Sequence, residues 1–275
     1  MSAVGSIVVR RQLGRELRAL RERARRTRDD VAAASVASVA KMARIEAGQT
    51  PVRPGDVREL CRLYGVDAAT TDNLATMAQA TKEPSWWEEV DAKAPRWFGL
   101  YLNLEAVASE LHVFEPTLMH GLFQTADYAR EVERATTPGA STEMVEGYVA
   151  VRMARQRSVF GRPDPLRMRV VIAEPAMRLP VGTPDLMAAQ LSALRDRAGL
   201  THVDLRVLPL ATGPHPGFLG PFSVLDFDDP DDPSVAYVQT YDAARYPESA
   251  AHVAHCRQRF DTIYEKSIPL EEWLP

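Results

Sequence analysis

The chain has 275 residues, of which 45% are apolar and 25% charged, and its formal net charge is −4. This composition is typical of a globular protein with room for two domains, and it excludes a disordered or fibrous chain. No apolar run reaches membrane-spanning length, and the first dozen residues lack the features of a signal peptide, so we expect a cytoplasmic protein with no membrane partner.

Charge is distributed unevenly along the chain. Residues 1–80 contain 14 Lys and Arg against 9 Asp and Glu, a net charge of +5, whereas residues 81–275 contain 19 against 28, a net charge of −9. A basic N-terminal part on an acidic body suits a protein whose small domain binds a polyanion.

Five helices are predicted in the basic part. The first covers residues 10–26, where Leu13, Leu17 and Leu20 recur at helical spacing among arginines. A fourth helix follows a proline-rich loop, with Asp56 placed to cap it and a glycine to end it, and a fifth covers residues 71–81. Pro84 breaks the pattern, so we predict one domain at 1–82 and a second at 83–275.

The second and third helices lie in residues 27–48. Thr27 and Asp30 form a capping pair that predicts a helix start, and Ser38 is placed to cap the next helix. In that helix the apolar side is Met42 and Ile45, while Lys41 and Arg44 share the opposite side. A helix with one fixed apolar side and two cations on the other suits the major groove of DNA. The alternative is that the two cations form an ordinary solvated helix face.

This block resembles the helix-turn-helix of the Xre family, the Cro and phage-repressor type. It departs from the family at the corner, where Ser35 and Val36 replace the usual Leu-Gly, and at Val39, which favours apolar contact with thymine methyl groups. The resemblance implies an all-α domain that binds duplex DNA as a homodimer on an inverted repeat, without a cofactor, in a cytoplasmic, nucleoid-associated protein. The residues expected to contact DNA are Thr27, Arg28, Ser38, Val39, Lys41 and Arg44, with Arg25 of the first helix on the DNA backbone.

The second domain is predicted to be a mixed α/β domain, which makes the chain α+β overall. Helices are expected at residues 100–111, 142–160, 184–198 and 248–266, and after Thr125, which can cap a short one. Strands are expected at 166–172, 203–208, 222–227 and 235–239, in an order that the sequence does not give.

This region resembles the C-terminal domain of unknown function of actinomycete Xre-type regulators. That resemblance implies a transcription regulator, often encoded beside a small partner protein and antitoxin-like, so the alternative function is binding and neutralising such a partner. Tyr241 to Tyr246 depart from the more apolar stretch expected there. The segments that carry the resemblance are Trp86-Trp87, residues 101–106, 115–116, 121–130, 152–157, 180–182 and, above all, 205–227.

No catalytic site, metal site or cofactor is predicted. His252 and His255 share a helix face but have no third ligand at a recognised spacing, and the cluster of aspartates at 226–232 lacks the calcium-loop pattern. Two cysteines far apart match neither a disulfide framework nor a zinc site. The second domain is therefore expected to sense a small molecule or to bind a protein partner.

A single concave site is predicted for that effector or partner. Two turn-rich segments, 124–130 and 213–220, carry polar and aromatic side chains on stiff backbone among apolar neighbours. The residues expected to face the occupant are Gln124, Tyr128, His215 and Phe218.

Overall fold

A computed structural model describes residues 5–80, 96–228, 233–239, 244–247 and 249–274. The chain divides into two compact units, Met1–Glu89 and Val90–Pro275. The predicted boundary near Pro84, the Trp86-Trp87 pair and the start of the Tyr241 to Tyr246 segment lie outside the described residues. Within the described ranges, no helix combines the length and the apolar character needed to cross a membrane.

The first unit is all-α, as predicted, with five helices around one core. Leu13, Leu17, Met42, Ile45 and Leu60 belong to that core. Its helices are α1 (Gly5–Arg23), α2 (Arg28–Ala33), α3 (Val39–Glu46), α4 (Pro54–Tyr64) and α5 (Ala68–Ala80).

The bounds of α1 and α5 differ from the predicted 10–26 and 71–81, and α4 lacks its predicted cap. Helix α1 stops at Arg23 because Arg25 takes a left-handed conformation (φ 51°), and Arg26 N–H bonds back to Arg21 C=O over 3.0 Å. Arg25 is therefore in a turn and not in the first helix. At α4, Arg53 occupies the capping position and no side chain caps the helix, because Asp56 lies one turn further in and instead binds Lys41.

The corner between α2 and α3 closes without glycine. Ser35 takes the left-handed conformation with φ 60°, Ser35 N–H bonds to Ala32 C=O, and Val36 N–H bonds to Val31 C=O. These two bonds form the motif that usually ends a helix at glycine. The predicted caps of α2 and α3 are confirmed. Thr27 and Asp30 form a reciprocal capping box, and Ser38 Oγ accepts a hydrogen bond from Lys41 N–H.

The second unit is built on a seven-stranded mixed sheet with the order β6-β5-β4-β1-β2-β3-β7. The three strands β1, β2 and β3 are parallel, and the flanking pairs are antiparallel. The strands are β1 (Glu110–Glu115), β2 (Arg167–Ala173), β3 (Val203–Leu208), β4 (Phe222–Asp226), β5 (Val235–Gln239), β6 (Ala244–Arg245) and β7 (Ile268–Pro269).

The four predicted strands are present as β2 to β5, but the central strand β1 was not predicted as one. Residues 110–111 were assigned to a helix over 100–111, whereas α6 ends at Val107. Residues 111–114 of β1 are all buried, so both faces of the strand are covered and its sequence shows no regular alternation of apolar and polar residues.

Helices cover both faces of this sheet. Helix α11 packs on the face that carries Phe114 and Phe222, through Val253 and Phe260. Neighbouring residues of a strand point to opposite faces, so Glu115 and Tyr237 belong to the other face. There the ring of Tyr101 of α6 contacts that of Tyr237 in a tilted arrangement, with 4.3 Å between ring centroids. The helices are α6 (Arg96–Val107), α7 (Ala126–Thr136), α8 (Thr142–Phe160), α9 (Glu174–Arg178), α10 (Pro184–Ala198), α11 (Ala250–Glu265) and α12 (Leu270–Trp273).

Candidate nucleic-acid interface and ligand cavity

Helix α3 presents one face to solvent and buries the other. Met42 and Ile45 are in the core, while Ser38, Val39 and Arg44 are exposed, Val39 to 40%. In the part of the chain that the structure describes, the Arg44 side chain has no ion pair. The exposed face thus offers a hydroxyl, an apolar side chain and a guanidinium, which together can read base edges and methyl groups.

Lys41 is not the free cation that the sequence suggested. Its Nζ lies 3.0 Å from Asp56 Oδ2 of α4, and both side chains are partly buried. This pair ties α3 to α4 and reduces the charge that Lys41 presents to a DNA phosphate.

Arg28 is also engaged within the protein. Its Nη2 lies 2.8 Å from Glu46 Oε2, and Arg21 Nε lies 2.5 Å from Glu46 Oε1. Glu46 is buried, so its carboxylate compensates two guanidiniums and joins α1, the start of α2 and the end of α3. Arg28 stays a predicted DNA contact, because its side chain is still 38% exposed beside this ion pair. Thr27 and Arg25, both exposed, lie on the turn just before α2.

A polar cavity of about 540 Å³ lies in the second unit. It is formed at the carboxyl end of β1, over the sheet face that carries Tyr237, and α6, α7 and α8 close it. Its volume is within the range of small-molecule sites, about 300–1,000 Å³. Side chains that line it include Tyr101, Glu115, Gln124, Tyr148, Arg152 and Tyr237.

The two arginines of this cavity are already paired. Arg155 binds Glu105 through two hydrogen bonds of 2.7 and 2.6 Å, and its guanidinium lies 5.2 Å from the Tyr101 ring centroid. Arg152 donates to Glu133 Oε1 and to Gln124 Oε1. Burial would lower the pKa of Arg155, but Glu105 raises it above its ordinary value; burial lowers the pKa of Arg152 in spite of Glu133.

Glu115 is the exception among these charges. No hydrogen bond or ion pair reaches its carboxylate from any residue that the structure describes, and the surface it retains belongs to the cavity wall. Burial raises the pKa of Glu115 to about 8, and the more distant Arg155 and Arg152 offset that effect only in part. The carboxyl group therefore holds a proton at neutral pH. Burial, together with both arginines, also holds the pKa of His120 well below its ordinary value, so this ring is neutral.

Comparisons with known proteins match the two units of the chain to different families. Residues 98–272 match the family described as "Domain of unknown function (DUF5753)", which covers more than half of the chain. The chain belongs to this family. Residues 12–74 match a helix-turn-helix domain, so the DUF5753 protein is a DNA-binding regulator. Searches of curated proteins and of solved structures found no match.

The DUF5753 domain separates the four residues that were expected to line one site. Gln124 lines the polar cavity, and its Nε2 donates to Met119 C=O over 2.6 Å, while Tyr128 is buried behind the wall and does not line it. His215 and Phe218 instead line an apolar groove of about 490 Å³. The single concave site is therefore wrong.

The reason for this separation is the course of the chain. Thr125 caps α7 over the face that α8 covers, whereas the loop after β3 turns towards α11, where Arg259 donates to Pro216 C=O over 2.7 Å. His215 has a structural contact of its own, since its Nδ1 accepts a hydrogen bond from Gly217 N–H over 3.1 Å. Burial, with a smaller effect of Lys266, lowers the pKa of His215.

The other residues considered as ligands lie apart. His252 and His255 are exposed on α11, and no metal-binding group of His, Cys, Asp or Glu occurs within the described ranges. Asp226 is not part of a solvated turn: it ends β4 and accepts hydrogen bonds from Ser234 and Arg257. The aspartates at 229, 231 and 232 lie outside the described residues.

Sequence reasoning missed Glu105, Glu115 and the burial of Arg155. Nothing in the predicted helix at 142–160 marks Arg155 as buried, but its side chain is only 6% exposed. A signal was present, because Glu105 interrupts a strongly apolar helix and so requires a buried partner.

Proposed function

We propose that this protein is an Xre-type transcription regulator that reads its operator with α3 and senses a small molecule in the polar cavity of the DUF5753 domain. The observation that carries the sensing role is the unpaired Glu115 carboxyl in a cavity whose other charges are matched. Glu115 is partly buried, and a polar group withdrawn from water without a partner costs free energy, which a bound ligand recovers.

The DNA-binding part of the proposal rests on the exposed face of α3. Arg44 would contact a guanine edge and Val39 a thymine methyl group, while Arg25 on the preceding turn would contact phosphates. One such domain reads few base pairs, so we infer a homodimer on an inverted repeat. This role would place the protein in the cytoplasm, at the nucleoid.

Occupancy of the cavity is proposed to change operator affinity by altering how the two DNA-binding units of the dimer are spaced. An effector that favours one spacing must bind that state more tightly, and operator binding must change effector affinity by the same factor. The cavity is proposed to bind and not to catalyse, since its charged side chains other than Glu115 are held in arginine–carboxylate pairs.

The test uses an operator selected from random duplex DNA and an extract of small molecules from the native host. We expect the extract to change operator affinity of the unaltered protein, and Gln124→Ala to reduce that response, because Gln124 positions Arg152 in the cavity wall. His215→Ala is the matched control, since His215 lines the separate groove and should leave the response intact. The opposite pattern would refute the assignment of the sensor to the cavity.

A second function, antitoxin-like binding of a small partner protein encoded nearby, is favoured by one observation. Leu210, Phe218 and Leu219 are 62%, 70% and 85% exposed around the apolar groove, and clustered exposed apolar side chains mark protein-binding surfaces. Co-expression of the neighbouring small protein with the Phe218→Ser, Leu219→Ser variant tests it. Loss of co-purification supports this function, and unchanged co-purification contradicts it.

A further inference from the structure

If all its side chains were ionised, the charges of the polar cavity would not balance. Arg155 is matched by Glu105 and Arg152 by Glu133, each through direct hydrogen bonds. Glu115 adds a third carboxylate against two guanidiniums, so the fully ionised set carries one negative charge in excess. Within the described part of the chain, nothing donates a hydrogen bond to that carboxylate.

The wall around Glu115 is aromatic. Tyr101, Tyr148, Tyr237 and Phe98 all line the cavity. Tyr101 stacks on Phe98, and Arg155 already lies over both of these rings, so Tyr148 and Tyr237 are the rings left for a ligand. Aromatic faces attract cations, most strongly where water is excluded. An unmatched carboxylate among aromatic rings is therefore suited to a positively charged group.

We propose that this cavity binds a small organic cation, such as a primary or quaternary amine with an apolar or aromatic body, and that Glu115 is its counter-ion. The inference rests on the proposed sensory role of the cavity and specifies its ligand class. An anionic ligand would instead meet the carboxyl groups of Glu115 and Glu133 and two arginines that already have partners.

Binding of a cation would replace the proton that Glu115 holds in the empty cavity. The Glu115 carboxyl group interacts with Arg152 and Arg155 of α8, Tyr128 of α7 and Tyr237 of β5, and the same cavity is also lined by Tyr101, His120, Glu133 and Tyr148. The His120 ring is already neutral, Arg152 and Arg155 remain charged, and Tyr128 and Tyr237 remain neutral near pH 7, so Glu115 is the group that releases a proton. Its pKa of about 8 in the empty cavity makes that release close to one proton per bound cation at pH 7.

The experiment compares three probes that share an indole ring and differ in charge: tryptamine, tryptophol and indole-3-propionate. Calorimetric titration of the full chain at pH 7, in buffers of different ionisation enthalpy, measures affinity and proton release together. We expect tryptamine to bind more tightly than the alcohol and the acid, with release of about one proton. Glu115→Gln should weaken tryptamine binding by more than about tenfold and abolish the release.

The Glu115→Gln variant should fold, because a neutral amide replaces a carboxyl that is already protonated; circular dichroism checks this. Glu143→Gln, on the exposed start of α8, is the matched control and should bind tryptamine as the unaltered protein does. Equal or tighter binding of the alcohol or the acid would overturn the inference, as would absent tryptamine binding at millimolar concentration by folded protein. These outcomes would leave the response to host extract unchanged, and that response tests the sensory role separately.

Discussion

Replacing Glu46 by Gln should destabilise the DNA-binding unit strongly. Glu46 is 2% exposed at its side chain and Arg21 10%, so the change leaves a buried guanidinium with only the exposed Glu22, 3.5 Å away, as a counter-charge. Breaking a buried ion pair by removing one partner costs about 3–5 kcal/mol. We expect the lower end, about 3 kcal/mol, because Arg21 keeps a 2.9 Å hydrogen bond to Arg26 C=O and Arg28, 38% exposed, can turn to water.

Hydrogen exchange of the full chain, followed by mass spectrometry, measures this loss for each unit separately. A loss of about 3 kcal/mol speeds exchange of core amides in α1 and α3 by more than about 100-fold, while β1 and β2 of the second unit serve as an internal reference.

The matched control is Glu59→Gln, which removes the exposed Arg62–Glu59 pair and should cost less than about 0.5 kcal/mol. If Glu46→Gln accelerates exchange no more than this control does, then Glu46 does not compensate the buried arginine and the reasoning fails.

Three further predictions concern the interface and the second unit. In mobility-shift titrations, Arg44→Ala should weaken operator binding by about 1–3 kcal/mol and relax base discrimination. Lys41→Ala should weaken binding less, because the Lys41 ammonium group is ion-paired. Equal losses of binding free energy would contradict this difference between the two cations. Gly217→Ala would place a Cβ 2.2 Å from a buried phenylalanine ring and should destabilise the second unit by about 1–3 kcal/mol, whereas Gly147→Ala, with open space around it, should not lower the melting temperature in calorimetry. Burial disfavours ionised Asp226, but hydrogen bonds from a histidine, a serine and an arginine hold its pKa at about 2. This depressed pKa contributes roughly 2 kcal/mol to the free energy of unfolding, which is present above about pH 4 and is lost as pH falls towards 2. Asp226→Asn should flatten that pH dependence in urea denaturation.

Features set by local chemistry could be predicted from the sequence. Thr27 and Ser38 cap helices because a hydroxyl satisfies the free N–H groups of a first turn, and Gly65 ends α4 in the left-handed conformation. The exposed and buried sides of α3 follow from the spacing of its apolar residues. Such signals lie within one or two turns of the chain, so no tertiary information is needed to use them.

Features set by distant contacts could not be predicted in the same way. Arg155 and Glu105 are fifty residues apart, and periodicity on α8 cannot distinguish a solvated arginine from a buried, paired one. Strand β1 is buried on both faces. Its short, mostly apolar sequence cannot be distinguished by periodicity from a segment of a buried helix. Lys41 is a similar case, because only the fold brings Asp56 within 3.0 Å of it.

The two units differ in how they accommodate a glutamate withdrawn from water. We infer from this contrast that ligand binding, more than folding, determines the residue type at position 115. In the first unit Glu46 is saturated by Arg21 and Arg28, so its ionised form is compatible with a rigid interface between helices. In the second unit Glu115 has no such partner and remains neutral only by holding a proton. A glutamine or an apolar residue would satisfy the fold at this position at a lower cost, because neither has a charge to desolvate. Local rules of stability are broken most often at functional sites, which supports the proposal that Glu115 binds a ligand.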